Sequence, residues 1–379
     1  MLRQVLCGLL LMSSHLWSCA VLAQPWQPTD PNQVVLSLPR YAQTYRVNPS
    51  PTTPFEQVAP QISQALQDAY VYGDPRLIGQ AQALLMPYQQ STQTDILLLR
   101  AQAAQADHAF DHAKQLFQQV LAQAPQQTQA QLSLAALAVV QGQFASARQH
   151  CRDIQDLSVL VLKMICEAQV DAVSGQSSKA KQTLLTLSTL RHTLSSDQAL
   201  WLDLIQADLA IRTQDAALAQ RVFAEPSMSI PLLLLHADWL LNRGQFAEAL
   251  KLLTNAPAQD GVLLRLARAQ LLLAHPDAAQ TLARLAKHQQ QLLLRQDVGH
   301  AREIAHMALL LRQPQQALQW AKINWQHQRE TIDVVIYTTA ALRTSSITDL
   351  HILQAWLHQT GFVYPLIQQR IDQALRVAS

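Results

Sequence analysis

The chain has 379 residues, of which 14% are charged, and its formal net charge at pH 7 is +2. Its 28 Lys and Arg residues are dispersed, whereas affinity for a phosphate backbone needs clustered basic side chains, so the composition excludes a typical nucleic-acid-binding protein. Nine glycines, no Gly-x-Ser-x-Gly motif and no phosphate-binding glycine loop leave few places for an exposed nucleophile. We therefore expect a protein without catalytic activity and without a cofactor or a bound metal.

Residues 1–23 have the pattern of a secretory signal. Arg3 precedes an apolar run from Val5 to Met12, and Val21-Leu22-Ala23 places small residues at the cleavage site. The apolar run is too short to span a bilayer, and no later segment has the roughly 18 apolar residues that a transmembrane helix needs. We expect a mature chain that begins at Gln24 in the periplasm of a Gram-negative bacterium. Alternatively, Leu16-Trp17-Ser18-Cys19 is a lipoprotein box that leaves Cys19 lipid-anchored.

Residues 24–54 contain seven prolines, too many for a helix, and predict an extended lead segment. Helical periodicity begins at Phe55 and continues through residue 379, which defines one repeat domain. The predicted elements are a degenerate pair (Phe55 to Tyr72 and Pro75 to Tyr88), seven clearer pairs between Thr94 and Gln328, a further pair (Thr331 to Thr344 and Asp349 to His358) and a capping helix from Tyr364 to Val377.

A regular repeat organises this domain. Gly142-Gln143-Phe144-Ala145-Ser146-Ala147 returns as Gly244-Gln245-Phe246-Ala247-Glu248-Ala249, an offset of three times 34. Seven alanine pairs, each with an internal spacing of twelve, recur on average with the same period of 34: Ala101/Ala113, Ala135/Ala147, Ala168/Ala180, Ala207/Ala219, Ala237/Ala249, Ala267/Ala279 and Ala305/Ala317. Such a period is typical of helix-turn-helix repeats.

These marks resemble the tetratricopeptide repeat (TPR). The best match is Leu233, Ala237, Gly244, Phe246, Ala249, Leu253 and Ala256, followed by Pro257. Thr213-Gln214-Asp215 departs from the family by having no glycine at the turn, and Pro276 and Pro314 stand at two other turns. Gly73-Asp74-Pro75-Arg76 and the segment 324–330 also resemble exported proteobacterial repeat proteins of unassigned function. The resemblance implies an all-α, right-handed α-solenoid of about eight helix pairs with a C-terminal capping helix.

The TPR resemblance also implies that the first helix of each pair lines a concave groove, and that the protein is a protein-protein interaction scaffold. The expected groove residues are Leu204, Asp208, Leu234, Asp238, Leu264, Arg268, Arg302 and His306. The three leucines recur at a constant interval of thirty and would form an apolar stripe suited to an amphipathic helix or an extended peptide of a partner protein. The Lys and Asn run with which the family clamps a C-terminal carboxylate is absent.

Three alternatives to a peptide-binding groove remain open from the sequence. The leucines of the expected stripe could instead pack only within the core. The array could be a module of a polysaccharide-export or cell-envelope assembly complex. However, the eight expected groove residues include no Phe, Tyr or Trp side chain for sugar binding. It could also be a structural spacer whose groove is filled by its own lead segment.

Two further residue pairs carry chemistry. Cys151 and Cys166 are the only cysteines after signal removal, and they are either a disulfide in an oxidising compartment or two small buried hydrophobic residues. His108 and His112, each preceded by an aspartate, have a spacing that can chelate a metal on one helical turn. Because no third ligand is identifiable and Asp commonly caps a turn, the sequence favours no metal there.

Overall fold

Consecutive segments of helix-forming residues, separated by short turns, build the whole of the described structure. The computed structural model describes residues 53–224, 227, 229–295 and 298–378, and within these ranges the chain is all α. The predicted signal (1–23) and lead segment (24–54) lie outside the described residues, apart from Thr53 and Pro54. Among the described residues, no helix combines the length and the hydropathy of a membrane-spanning segment.

The described ranges contain nineteen α-helices, which run in chain order as follows: α1 (Phe55–Tyr72), α2 (Pro75–Leu85), α3 (Thr94–Ala106), α4 (Phe110–Gln123), α5 (Thr128–Val140), α6 (Phe144–Arg152), α7 (Leu160–Val173), α8 (Ser177–Thr189), α9 (Ser196–Thr213), α10 (Ala216–Val222), α11 (Ile230–Asn242), α12 (Phe246–Leu253), α13 (Asp260–Leu272), α14 (Ala278–Leu294), α15 (Ala301–Leu310), α16 (Pro314–Trp325), α17 (Thr331–Arg343), α18 (Ile347–Thr360) and α19 (Pro365–Ala378). The predicted elements from Phe55 onwards are confirmed, with small differences at their ends.

The helices pack as sequential pairs. Each odd-numbered helix packs against the even-numbered helix that follows it, from α1 with α2 to α17 with α18, and α19 follows as a single helix. Each odd-numbered helix also packs against the next odd-numbered one, all the way from α1 to α19. We call this continuous row of helices the odd-helix layer. The described ranges thus hold nine pairs, consistent with a helical repeat array.

The turns inside the nine pairs share one backbone feature. Each contains a residue with a positive φ between 50° and 80°: Gly73, His108, Gly142, Gly175, Gln214, Gly244, Ala274, Arg312 and Ser345. From Gly73 to Ser345, the mean spacing of these nine residues equals the period of the sequence repeat. The left-handed conformation closes the tight turn between two helices, and five of the nine positions adopt it without glycine.

The alanine pairs lie at buried positions, with one exception. Thirteen of the fourteen alanines are at most 2% exposed, which allows the two helices of a pair to approach closely. Ala279 is exposed and departs from the other alanines of these pairs. The connection between α13 and α14 has five residues (273–277), whereas most connections within pairs have three, and the longer connection shifts the phase of α14. Thr281, the fourth residue of α14, is therefore buried at the position that alanine occupies in the other pairs.

Contacts between distant residues join early and late pairs. The side-chain amide of Gln259 donates a 2.5 Å hydrogen bond to the carbonyl of Tyr72, and α1 packs against α11. The backbone N–H of Arg329 donates to the carbonyl of Val140 at 2.7 Å. A Cβ added to Gly175 would lie 3.3 Å from the carbonyl oxygen of Gly361, so these two turns meet backbone to backbone. Later pairs therefore pack against turns of earlier pairs as well as against their chain neighbours.

Cys151 of α6 and Cys166 of α7 form a disulfide, with their Cα atoms 5.7 Å apart. Both side chains are buried, and the bond joins the second helix of one pair to the first helix of the next. The disulfide alternative that the sequence left open is the one that the structure shows. Such a bond is compatible with an oxidising compartment.

Candidate binding site on the odd-helix layer

The eight expected groove residues come from four successive helices of the odd-helix layer, α9, α11, α13 and α15. Asp208, Asp238, Arg268 and His306 each follow a fully buried alanine (Ala207, Ala237, Ala267 and Ala305), so they occupy equivalent positions on neighbouring helices. We call these four side chains the charged row. Its α9 and α11 members are acidic, and its α13 and α15 members are a guanidinium and an imidazole.

The leucine stripe consists of two residues rather than three. Leu204 and Leu234 are partly exposed, but Leu264 is only 2% exposed, so its predicted place on the surface is wrong. Leu264 belongs to the largest buried cluster, together with Leu285 of α14 and Ile304 of α15. Burial of that leucine side chain is favourable by roughly 1.5–3 kcal/mol relative to exposure, which explains why it faces the core.

The two aspartates of the charged row pair with arginines of this chain. Arg212 donates through Nε to Asp208 at 2.7 Å, and Arg265 donates through Nε and Nη2 to Asp238 at 2.9 and 2.5 Å. Arg265 also donates to the carbonyl of Leu234 at 3.2 Å, which ties α13 to α11. These arginines were not predicted as site residues, although an Arg that lies four residues after Asp208 on one helix is a recognisable pairing signal.

Arg302 is committed to holding two helices together. Its guanidinium donates to Asp333 at 2.6 and 2.7 Å and to Glu330 at 2.5 Å, which links α15 to the first turn of α17. Burial alone would lower the pKa of Arg302, but Asp333 and Glu330 raise it well above its usual value. The effect of the carboxylates on the pKa of Arg302 exceeds the effect of burial. Arg302 is therefore a cation that holds the two helices together and is not available to bind a partner.

Among the described residues, Arg268 and His306 have no strong partner. The closest polar contact of Arg268 in the described ranges is a 3.4 Å hydrogen bond from Nη2 to Asn242. Burial lowers the pKa of Arg268, and the like charges of Arg265 and Arg370 add to this, whereas Asp238 opposes it. Burial also lowers the pKa of His306 to about 3, helped by Arg265, Arg268 and Arg302. His306 is therefore a neutral imidazole near three guanidinium groups.

The segment before α19 packs against the acidic half of the charged row. Arg212 donates through Nη1 to the carbonyl of Val363 at 3.1 Å, and its Cζ lies 5.2 Å from the ring centroid of Phe362. Tyr364 is 2% exposed, and burial together with the charges of Asp208 and Asp238 raises its pKa to about 12. Sequence reasoning missed this contact because 151 residues separate Arg212 from Val363, and no local pattern connects them.

The histidine pair is not brought together. His108 lies in the turn between α3 and α4 with φ 59°, its Nδ1 lies 3.3 Å from Nε2 of Gln328, and its ring meets Phe110 edge-on. His112 is exposed on α4. Among the described residues no three His, Cys, Asp or Glu side chains are close enough to hold a metal ion.

A crevice of about 640 Å³ opens where the end of α18 meets the start of α6. It is lined by Gly142, Gln143, Phe144, Ala145, Ser146, Arg148, Ser174, Gln359 and Thr360. Its cation, Arg148, already pairs with Asp171 and donates to the Ser174 hydroxyl at 2.9 Å. The charged group of this crevice is therefore satisfied within the chain, and the charged row is the stronger candidate site.

No model of a protein family matches the chain, and no curated protein matches it significantly. What the structure defines is an all-helical protein whose nineteen described helices pack in sequential pairs.

Proposed function

We propose that this chain is an exported, non-catalytic, TPR-like right-handed α-solenoid that binds a peptide or a helix of a partner protein on its odd-helix layer. The observation that carries the proposal is the charged row with its two neighbouring leucines. Leu204 and Leu234 are partly exposed, and each lies one helical turn before an aspartate of the row. Alternating apolar and polar positions along successive helices suit a partner segment that lies across them.

The repeat geometry supports the TPR-like part of the proposal. The turns recur with the period of the sequence repeat, and small residues are buried at the contact between the two helices of a pair. Arrays of this kind expose long continuous surfaces, which is why binding is their usual role. The fold does not identify the partner, because repeat architectures with one geometry bind many different proteins.

The proposed location is the periplasm. The signal-like pattern of residues 1–23 and the disulfide between Cys151 and Cys166 support export to an oxidising compartment. Cell fractionation followed by mass spectrometry of the purified chain tests this. We expect periplasmic protein that begins at Gln24, and a cytosolic chain that retains Arg3 would refute it.

Site-specific cross-linking tests the binding surface. A photoreactive amino acid placed at Leu204 or Leu234 of the full chain should trap a partner protein in cells. The matched control is Gln118, an exposed position on α4, which should trap none. Equal trapping from all three positions, or none from Leu204 and Leu234, would show that the odd-helix layer is not the binding surface.

A further inference from the structure

The turns inside the first four pairs are covered by connections that join later pairs. The residues in contact are Gly73 with Gln259, His108 with Gln328, Gly142 with Arg329 and Gly175 with Gly361. For the first, third and fourth pairs, the covering connection leads into the pair six places further along, with α19 in the tenth place. The structure thus repeats one kind of interface, in which the turn inside a pair packs against a connection between two other pairs.

The turns inside the last four pairs have no such cover. These turns contain Gly244, Ala274, Arg312 and Ser345, and we call them the open turn edge. In the part of the chain that the structure describes, no pair lies six places beyond them and no connection between other pairs forms a hydrogen bond with them. All nine turns follow the C-terminal end of an odd-numbered helix, so the open turn edge continues the surface that connections cover in the first four pairs.

The middle of the open turn edge is apolar. The residue Ala274 is preceded by three exposed leucines, Leu271, Leu272 and Leu273, which are 41%, 50% and 39% exposed. The turn of the next pair is similar, because the partly exposed Leu310 and Leu311 precede Arg312. These two turns are neighbours, since α13 packs against α15. Adjacent exposed apolar side chains of this kind mark a surface that packs against another molecule.

The complementary half of this interface is also unused at the start of the array. The connections into the second, third and fourth pairs are residues 86–93, 124–127 and 153–159, and we call them the open connection edge. Within the described ranges, no turn inside another pair forms a hydrogen bond with these connections. Met86 on this edge is 63% exposed, Leu157 is 82% exposed, and Leu160 at the start of α7 is 48% exposed. The open connection edge therefore also presents apolar side chains to solvent.

We propose that a second copy of this chain covers the open turn edge with its open connection edge. The choice of occupant follows from the interface within the chain, because connections of this same sequence cover the turns of the first four pairs. The exposed Leu157 and Leu160 of the second copy match the leucines around Leu272 in apolar character. The two edges are different surfaces, so the contact is heterologous and copies add head to tail. The inference goes beyond the proposed function, since Leu204 and Leu234 lie on neither edge.

Sedimentation equilibrium of the mature chain over a concentration series tests this assembly. Leu272→Glu places a charge on the open turn edge and Leu157→Glu places one on the open connection edge, and burying an unpaired charge opposes packing. Ile352→Glu changes an exposed apolar residue of α18 outside both edges and is the matched control. We expect the parent and the control to associate as the concentration rises, and each edge variant to sediment as a monomer.

A mixture of the two edge variants tests the head-to-tail arrangement. Leu272→Glu keeps an intact open connection edge, and Leu157→Glu keeps an intact open turn edge. An equimolar mixture should therefore form dimers with one copy of each variant and nothing larger. The inference is overturned if the mixture stays monomeric, if the parent stays monomeric up to its solubility limit, or if both edge variants associate as the parent does.

A second pair of variants separates association from folding. Leu272→Ser and Leu157→Ser remove apolar contact without adding charge, and each should weaken association about tenfold or more. Because both leucines are exposed, the melting temperature of the monomer should equal that of the control. Weaker association that comes only with a lower melting temperature would mean that these leucines support the fold, and the inference would then be wrong.

Discussion

The Nη1 atom of Arg212 lies 3.1 Å from the backbone carbonyl oxygen of Val363, 151 residues further along the chain. The same guanidinium donates to the carbonyl of Ala172 at 2.9 Å and to Asp208 at 2.7 Å, and the side chain is fully buried. A single arginine thus joins the end of α7, the helix α9 and the segment that leads into α19.

Replacement of Arg212 by methionine should therefore release the C-terminal segment. Each buried acceptor left without a donor costs about 1–3 kcal/mol, and Arg212 serves two backbone carbonyls. We expect a lower free energy of unfolding in urea and faster hydrogen exchange in residues 364–371. Arg221→Met, an exposed position on α10, is the control. Equal stability of the two variants would show that Arg212 does not hold the C-terminal segment in place.

The buried alanines should not tolerate a larger side chain. Ala237→Leu and Ala249→Leu each introduce three carbon atoms between α11 and α12, where both alanines have no exposed surface. Overpacking of this kind typically costs about 1–3 kcal/mol, so both variants should melt below the parent. Ala279→Leu, at the alanine that is exposed, should melt like the parent. If all three variants behave alike, the repeat contacts are not where the structure has them.

The left-handed turns predict opposite effects at two equivalent positions. Gly244 has φ 76°, and among the described residues an added Cβ would meet only Phe246, at 4.0 Å. Gly244→Ala should therefore cost about 1 kcal/mol through backbone strain. Ala274 already carries that strain with φ 50°, and Ala274→Gly should stabilise the fold by somewhat under about 1 kcal/mol. Thermal unfolding measures the change in stability of each variant relative to the parent. If both changes have the same sign, the left-handed geometry of these turns is contradicted.

The disulfide between Cys151 and Cys166 should be present in the native protein and should stabilise it. The two cysteines are 15 residues apart, and closing a loop of that size contributes about 3 kcal/mol in the chain-entropy model. The oxidised mature chain should show no free thiol before unfolding and should melt lower after reduction. A Cys151→Ala/Cys166→Ala variant should be insensitive to the reductant. Two thiols titrating in the unreduced protein would rule out the bond.

His306 should make stability depend on pH below neutrality. Its pKa in the folded chain is about 3, against an ordinary value of 6.5, so the unfolded chain binds the proton more tightly. Stability from this group is therefore fully present above about pH 6.5 and is lost as the pH falls towards 3. We expect His306→Gln to lose less stability than the parent between pH 6.5 and 4. Parallel pH profiles would show that the imidazole is not held neutral.

The repeat architecture could be predicted from the sequence because the residues that determine it act locally. Turn residues such as Gly142 and Gly244 and buried alanines such as Ala237 are fixed by short-range geometry, which recurs once in every repeat. The ends of the helices could be predicted for the same reason. The spacing of the alanine pairs did not identify the buried position of α14, because Ala279 follows a connection that is longer than its neighbours. A residue count along the sequence does not show how far a longer connection rotates the helix that follows it.

The candidate site was harder to predict from the sequence, because the charge and exposure of its residues depend on partners from other helices. The sequence by itself determined that Asp208, Asp238, Arg268 and His306 occupy equivalent positions on successive helices. Only the tertiary structure decided that Arg265 and Arg212 neutralise the aspartates, that Leu264 is buried and that the segment at Val363 packs against the row. Those outcomes depend on long-range packing and charge pairing, which act between residues that no local period connects.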